Sequence, residues 1–287
     1  MTAGAPTVRE LLGGWRLQPV EIAPAAAAAI AYGRAALRVR RWPRRRSAAF
    51  AGGLAVLLVA QQSGIDAYAA DLLSVHMLQH LLLITAAAAL LVAGAPATLA
   101  LRALRGARRA ALARIFRGAV VATLTRPVVA WSLFACAVVA THLPAAYDLA
   151  LREPPVHALE HALYLWSAVL FWTPLLGAEP LRHRLSAPGA VAYLLAAMAP
   201  MSLVAAPLLS ADAVLYPHYA DAAPALGVSA LADQRAGATV MWLGGTLALV
   251  TAVVACGWAA VAREERAARA RERHGDLAAA RRSEGAR

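Results

Sequence analysis

The sequence contains no lysine: all 28 of its basic residues are arginine. It holds two cysteines, Cys136 and Cys256, in separate apolar segments and in no CxxC pair, so a disulfide framework is excluded and a thiolate metal cage is not expected. Charged residues make up only 15% of its 287 residues, against about 25% in ordinary soluble domains, while apolar residues reach 61%. With a mean hydropathy of +0.57, this argues against both a water-soluble globule and a disordered chain. No GxxxxGK[ST] loop and no GxGxxG before a helix occurs, so ATP-driven work within the chain is not expected. The first ten residues carry Arg9 and Glu10 but no apolar core, and no cleavable signal peptide is read there.

What remains is a series of long apolar runs, which predicts an all-α, polytopic integral membrane helix bundle. A spanning helix needs about 20 mostly apolar residues. Seven segments qualify, at roughly 18–38, 47–65, 71–95, 127–147, 157–177, 188–210 and 235–261. Arginines crowd every second connection: Arg40, Arg41, Arg44, Arg45 and Arg46; then Arg102, Arg105, Arg108, Arg109, Arg114 and Arg117; then Arg182 and Arg184; then the tail from Arg263 onward. The intervening connections carry Asp66, Asp71, Asp148, Glu153, Asp212, Asp221 and Asp233. By the positive-inside rule the arginine side is cytoplasmic, so seven helices put the N-terminus outside and the C-terminus inside. The chain then divides into an extracytoplasmic segment 1–17, a transmembrane domain 18–261 and a charged cytoplasmic tail 262–287. The net charge of +12 would suit nucleic acid, but arginines held in short loops between apolar runs point to the lipid bilayer instead, and no nucleic-acid partner is expected.

Ionisable groups inside a membrane are costly and mark function by default. Five histidines fall in the predicted spans, all in their outer halves: His76 and His80 on helix three, His142 near the outer end of helix four, His157 and His161 on helix five. His183, His218 and His274 lie in loops or the tail. The pairs His76/His80 and His157/His161 are each spaced i, i+4, so each stacks on one helix face and can offer two imidazoles to one ion. Imidazole suits zinc, copper, iron and nickel. Met77 and Met241 stand at similar depth, where thioethers would favour copper(I) or simply pack. A lone buried histidine ordinarily satisfies a neighbouring helix; two matched pairs and a fifth histidine favour a metal or cofactor site. Residues 157–161 also read H-x-x-E-H, the inverted zincin pattern in which Glu160 would be a general base; otherwise Glu160 orients a ring N–H. Asp233, just before helix seven, would cap that helix, orient a partner or accept a metal.

Taken together, several short motifs carry a resemblance. They are His76-Met77-Leu78-Gln79-His80 followed by Gly94-Ala95-Pro96, then His142-Leu143-Pro144 with Tyr147-Asp148, then His157-Ala158-Leu159-Glu160-His161. Phe171-Trp172 with Pro174, Tyr216-Pro217 with Tyr219, and Asp233-Gln234 with Gly237 and Met241-Trp242 complete the series. In this order, over roughly residues 25–260, the chain resembles the seven-helix bacterial cytochrome c oxidase assembly factor CtaG family. The resemblance implies a non-catalytic role in maturing haem–copper oxidase at the cell membrane, with copper as the metal supplied. It implies oxidase subunits as partners and an extracytoplasmic copper chaperone as a donor. Four other readings stay open on the residues: a copper transporter, a metal-free assembly scaffold, a haem-binding respiratory subunit, and a zinc-dependent membrane hydrolase using Glu160.

Overall fold

The computed structural model describes residues 5–177, 180 and 183–284. Among these there is no β-strand; nearly every residue is helical. The main helices are α1 (Pro19–Arg38), α2 (Arg44–Gln62), α3 (Leu73–Ala103), α4 (Pro127–Thr141), α5 (Pro144–Arg152), α6 (Pro154–Leu176), α7 (Ala187–Ser210), α8 (Pro217–Ala225) and α9, whose apolar part is Ala230–Trp258. Helix α9 runs on without a break at residue 262, to Glu284. Prolines open α1, α4, α5, α6 and α8, where the missing N–H costs nothing because a first-turn N–H has no helical partner. Arg182 and Arg287 lie outside the described residues.

Among the described residues four helices are long and apolar enough to cross a membrane: α1, α3, α7 and α9. The bent pair α4 and α5 makes a fifth if it is one span. Helices α2 and α6 stand where spans were predicted, but the arginines and glutamines at the ends of α2, and the histidines and Glu160 early in α6, lower their apolarity.

Three segments depart from the sequence reading. The predicted continuous helix 127–147 breaks at His142 and Leu143, where α4 and α5 meet at 75°. The cause is Pro144, which disfavours a helical residue before it; Leu143 accordingly has ψ 132°. The predicted loop from Ala211 to Gln234 contains α8, and α9 begins at Ala230, capped by Ser229 through Ala232 N–H at 3.4 Å. Asp233 and Gln234 therefore lie inside the helix. The predicted span 71–95 contains a π-helical stretch, Leu82–Ala87, and passes through a left-handed Ala95 (φ 51°) before Pro96 restarts it. Near the π turn the Ile84 carbonyl accepts the Trp172 indole N–H at 2.7 Å, tying α3 to α6.

Hydrogen bonds gather the connections into two ends. At one, Gly64 N–H donates to Gly13 O at 2.7 Å and Arg16 N–H to Gln62 O at 2.8 Å, strapping the N-terminal segment across the turn after α2. Tyr216 OH reaches His142 O at 2.9 Å, and Tyr219 OH reaches Ala69 O at 2.9 Å. At the other end, Tyr32 OH donates to Gly94 O at 2.8 Å and receives Trp42 Nε1–H at 3.0 Å. The Trp42 ring lies under two guanidinium groups, Arg46 at 5.1 Å and Arg102 at 5.9 Å.

Small residues let the helices approach, as membrane bundles require. A Cβ at Gly237 would stand 3.1 Å from both Leu73 Cγ and Ser74 N. Gly244 and Gly245 likewise pack close, against Leu81 and Met201 respectively.

Candidate metal centre

The first end encloses all five span histidines. Helix α3 and helix α6 both start there and descend, so His76 and His157 form an upper layer and His80 and His161 a lower one. Ring centroids are 5.4 Å apart for His76–His157 and 5.4 Å for His80–His161. Within each helix the rings are 4.3 Å and 4.1 Å apart. His142, at the break after α4, joins the lower layer with its ring 6.3 Å from that of His80. His76, His80, His142, His161 and Glu160 are buried, and His157 is half-buried.

The partners of these rings assign their protons. Tyr219 OH donates to Ala69 O, so it accepts from His76 Nδ1–H at 2.8 Å. His76 Nε2 then carries a lone pair, and it faces His80 Nε2 at 2.9 Å. A proton on His80 Nε2, or a cation between the two, completes that contact. His142 Nδ1 donates to Val138 O at 2.7 Å, again leaving Nε2 as the free lone pair. Orienting one ring nitrogen so that the other can ligate is the arrangement ordinary metal-binding histidines show.

Several buried atoms have no partner among the described residues: His80 Nδ1, His142 Nε2, His157 Nε2, His161 Nε2 and both Glu160 carboxylate oxygens. An unsatisfied buried polar group costs about 1–3 kcal/mol. Partnerless nitrogens and carboxylate oxygens gathered in one cluster of rings fit a bound cation. Two trios bring ligand atoms within 4.8 Å of one another: His76, His80 and His161, and His76, His157 and Glu160. Glu160 Oε2 also lies 4.0 Å from His80 Nε2.

Four tyrosines wall the cluster. Tyr147 lies 5.2 Å from His76 and 5.7 Å from His142, and stacks on Tyr216 at 4.2 Å. Tyr164 lies 4.3 Å from His80 and hydrogen-bonds Thr141 and His142. Sequence reasoning did not name Tyr164 for the site; its spacing of four from Glu160 and three from His161 was the available signal. Asp66 was likewise read only as an outside charge. Its carboxylate accepts Gln79 Nε2–H at 2.9 Å and interacts electrostatically with His157 and Arg16. Burial pushes its acid strength down, raising the carboxyl above its usual range, and the Gln79 bond partly offsets this.

Among the described residues Asp233 hydrogen-bonds Leu73 and Ser74 and none of the histidines. Its Oδ2 accepts Leu73 N–H at 2.6 Å and Ser74 N–H at 3.3 Å, and its Oδ1 accepts the Ser74 hydroxyl. It caps α3, the helix that carries His76 and His80, rather than its own. Gln234 beside it accepts Leu215 N–H at 2.7 Å and donates to Leu208 O at 3.2 Å. Met77 and Met241 are buried in the apolar core, Met77 between Leu73 and Leu81 on the α3 face that meets the glycines of α9. His218 lies outside the cluster, on Ala70 O at 2.8 Å, and His183 is at the opposite end on Ala122 O at 3.1 Å.

Fold and site together define a class: a helical membrane protein with a closed imidazole cluster at one end. The family model of the cytochrome c oxidase caa3 assembly factor (Caa3_CtaG) matches residues 30–263, and the chain belongs to that family. It is similar to uncharacterized proteins of Mycobacterium bovis and Mycobacterium tuberculosis, 29% identical over 284 residues in each case. An uncharacterized protein of Mycobacterium leprae is 26% identical over 283 residues. These alignments take in 94% of the chain but only 43% of each relative, so the chain spans less than half their length. No solved structure matches it.

Proposed function

We propose that the chain is a multi-pass protein of the cell membrane that helps mature haem–copper cytochrome c oxidase by binding copper on the extracytoplasmic side and delivering it. The supporting observation is the convergence of five histidines and Glu160, with one ring nitrogen on each of His80, His142, His157 and His161 and both Glu160 oxygens lacking a hydrogen-bond partner among the described residues. In this reading seven helices span the bilayer, the arginine-bearing end is cytoplasmic, and the N-terminus is outside. His76, His80, His157 and His161 are the ligands, with His142 as a further one. Copper is cargo, and no bond of a substrate is made or broken. Neutral imidazoles release a copper ion more readily than a charged thiolate cage does, which suits delivery. Oxidase subunits are the acceptor, and a copper chaperone outside the membrane is the donor.

The test is metal analysis of detergent-purified protein after copper loading under reducing conditions. The parent is expected to carry near-stoichiometric copper, and the combined His76→Ala, His80→Ala, His157→Ala, His161→Ala variant essentially none. A folded parent without metal would favour a scaffold. Protons compete with metal for imidazole, so copper occupancy, read by the same metal analysis, is expected to fall on acidification.

A second reading has one observation in its favour: Glu160, with no partner for either oxygen, beside a histidine trio, is also what a zinc hydrolase would need. Purified protein that carries zinc, and loses a hydrolytic activity in Glu160→Gln, would support it over delivery.

A further inference from the structure

We propose that the cluster is not one centre but two stations that share His76, an outer one of His76, His157 and Glu160 and an inner one of His76, His80 and His161. The inference rests on the copper reading above and says how the cargo moves within the site.

Three observations carry it. First, the two trios each bring their ligand atoms within 4.8 Å of one another, and His76 is the member they have in common. Second, His157 marks the outer end of the cluster, and Glu160, buried and one residue before His161, stands between the two levels. His157 is half-buried and stands in the first turn of α6, whereas His80 and His161 are buried and four residues further along their helices. Four residues advance a helix by about 6 Å. Third, the Tyr219–Ala69 pair holds the His76 ring by Nδ1 and leaves the Nε2 lone pair, which faces His80 Nε2 at 2.9 Å, as the one ring atom able to ligate. One lone pair serves one ion at a time, so the two stations exclude each other.

The outer trio includes a carboxylate, and its His157 is the one half-buried histidine of the cluster, so this is the face a cation meets first. The inner trio is all imidazole, a neutral and softer set that suits copper(I). Transfer is then an exchange of ligands in which His76 stays bonded. His157 and Glu160 let go on one side as His80 and His161 take hold on the other. No oxidation or reduction is involved.

The test uses the full-length protein in detergent with copper(I) as the probe, kept reduced. Stoichiometry and dissociation constant are read by competition with a chromogenic chelator, and loading by stopped flow. The parent is expected to hold one copper. His157→Ala and the gentler Glu160→Gln are expected to keep a dissociation constant within about threefold of the parent but to load at least about tenfold more slowly. His80→Ala is expected to load at the parent rate but to hold copper at least about tenfold more weakly, the low end of what losing a supporting ligand group costs. Helical circular dichroism checks that each variant is folded. Two coppers held at once by the parent, or outer and inner variants that weaken equilibrium binding alike, would overturn the two-station arrangement while leaving copper binding intact. A folded parent that binds no copper would overturn the copper reading itself.

Discussion

Asp233→Ala is expected to lower both the thermal stability of the protein and its copper affinity, although Asp233 hydrogen-bonds none of the histidines among the described residues. The carboxylate accepts two backbone N–H groups at the start of α3 and the Ser74 hydroxyl. Alanine strands these donors in a buried place. Each stranded donor costs about 1–3 kcal/mol, and loss of an ordinary N-cap alone costs about 1 kcal/mol. A combined loss of about 2–4 kcal/mol follows, enough to move a melting temperature by several degrees. The first turns of α3 carry His76, so frayed ends there misplace both trios, and the copper dissociation constant is expected to rise by at least about tenfold. Asp233→Asn keeps one acceptor oxygen and is expected to recover part of both losses. The melting curve and the chelator competition, run on the three proteins together, check this; an alanine variant with parental values in both contradicts the cross-helix cap.

Gly53→Val is expected to be strongly damaging to the bundle. A Cβ at residue 53 would lie 2.9 Å from Leu91 Cγ and 2.9 Å from Leu91 N, and 3.1 Å from Ala87 O. Two of those three atoms are backbone, so no rotamer change relieves the contact, and α2 has to move off α3. Overpacking commonly costs about 1–3 kcal/mol, and a clash with backbone sits at or above that range. The control is Gly52→Val, one residue away, where the added Cβ meets only Leu90 Cδ1 at 3.6 Å. The expected result is low yield of folded membrane protein for Gly53→Val and near-parental yield for Gly52→Val, read by fluorescence-detected size exclusion. Equal yields from the two contradict the close α2–α3 contact.

The helical class was legible because apolar run length and residue period are local properties of the chain. The two histidine pairs were legible for the same reason: i, i+4 spacing fixes a shared face whatever the rest of the protein does. That the two faces meet is a matter of tertiary packing, and the sequence signalled it only through matched depth. The break at His142 was written in Pro144 but outweighed in the reading by the apolar run around it. The role of Asp233 could not be read locally, because its partners at Leu73 and Ser74 are 160 and 159 residues away. A carboxylate just ahead of an apolar run looks like a cap for that run; here Ser229 takes that position and frees Asp233 for another helix. The state of His76 depends on Tyr219 and on the Ala69 carbonyl, two contacts that no spacing rule connects.

The bond between Asp233 and Ser74 also has a bearing on the order in which the protein is made. Synthesis delivers the histidines of α3, α4 and α6 well before residue 233 leaves the ribosome. Until α9 is inserted, the start of α3 has no carboxylate to hold it, and the upper ring of the cluster has no fixed position. Helix α9 thus steadies a cluster to which it contributes no histidine, and in the proposed copper site a chain that has not yet inserted α9 is expected to be a poor trap for metal.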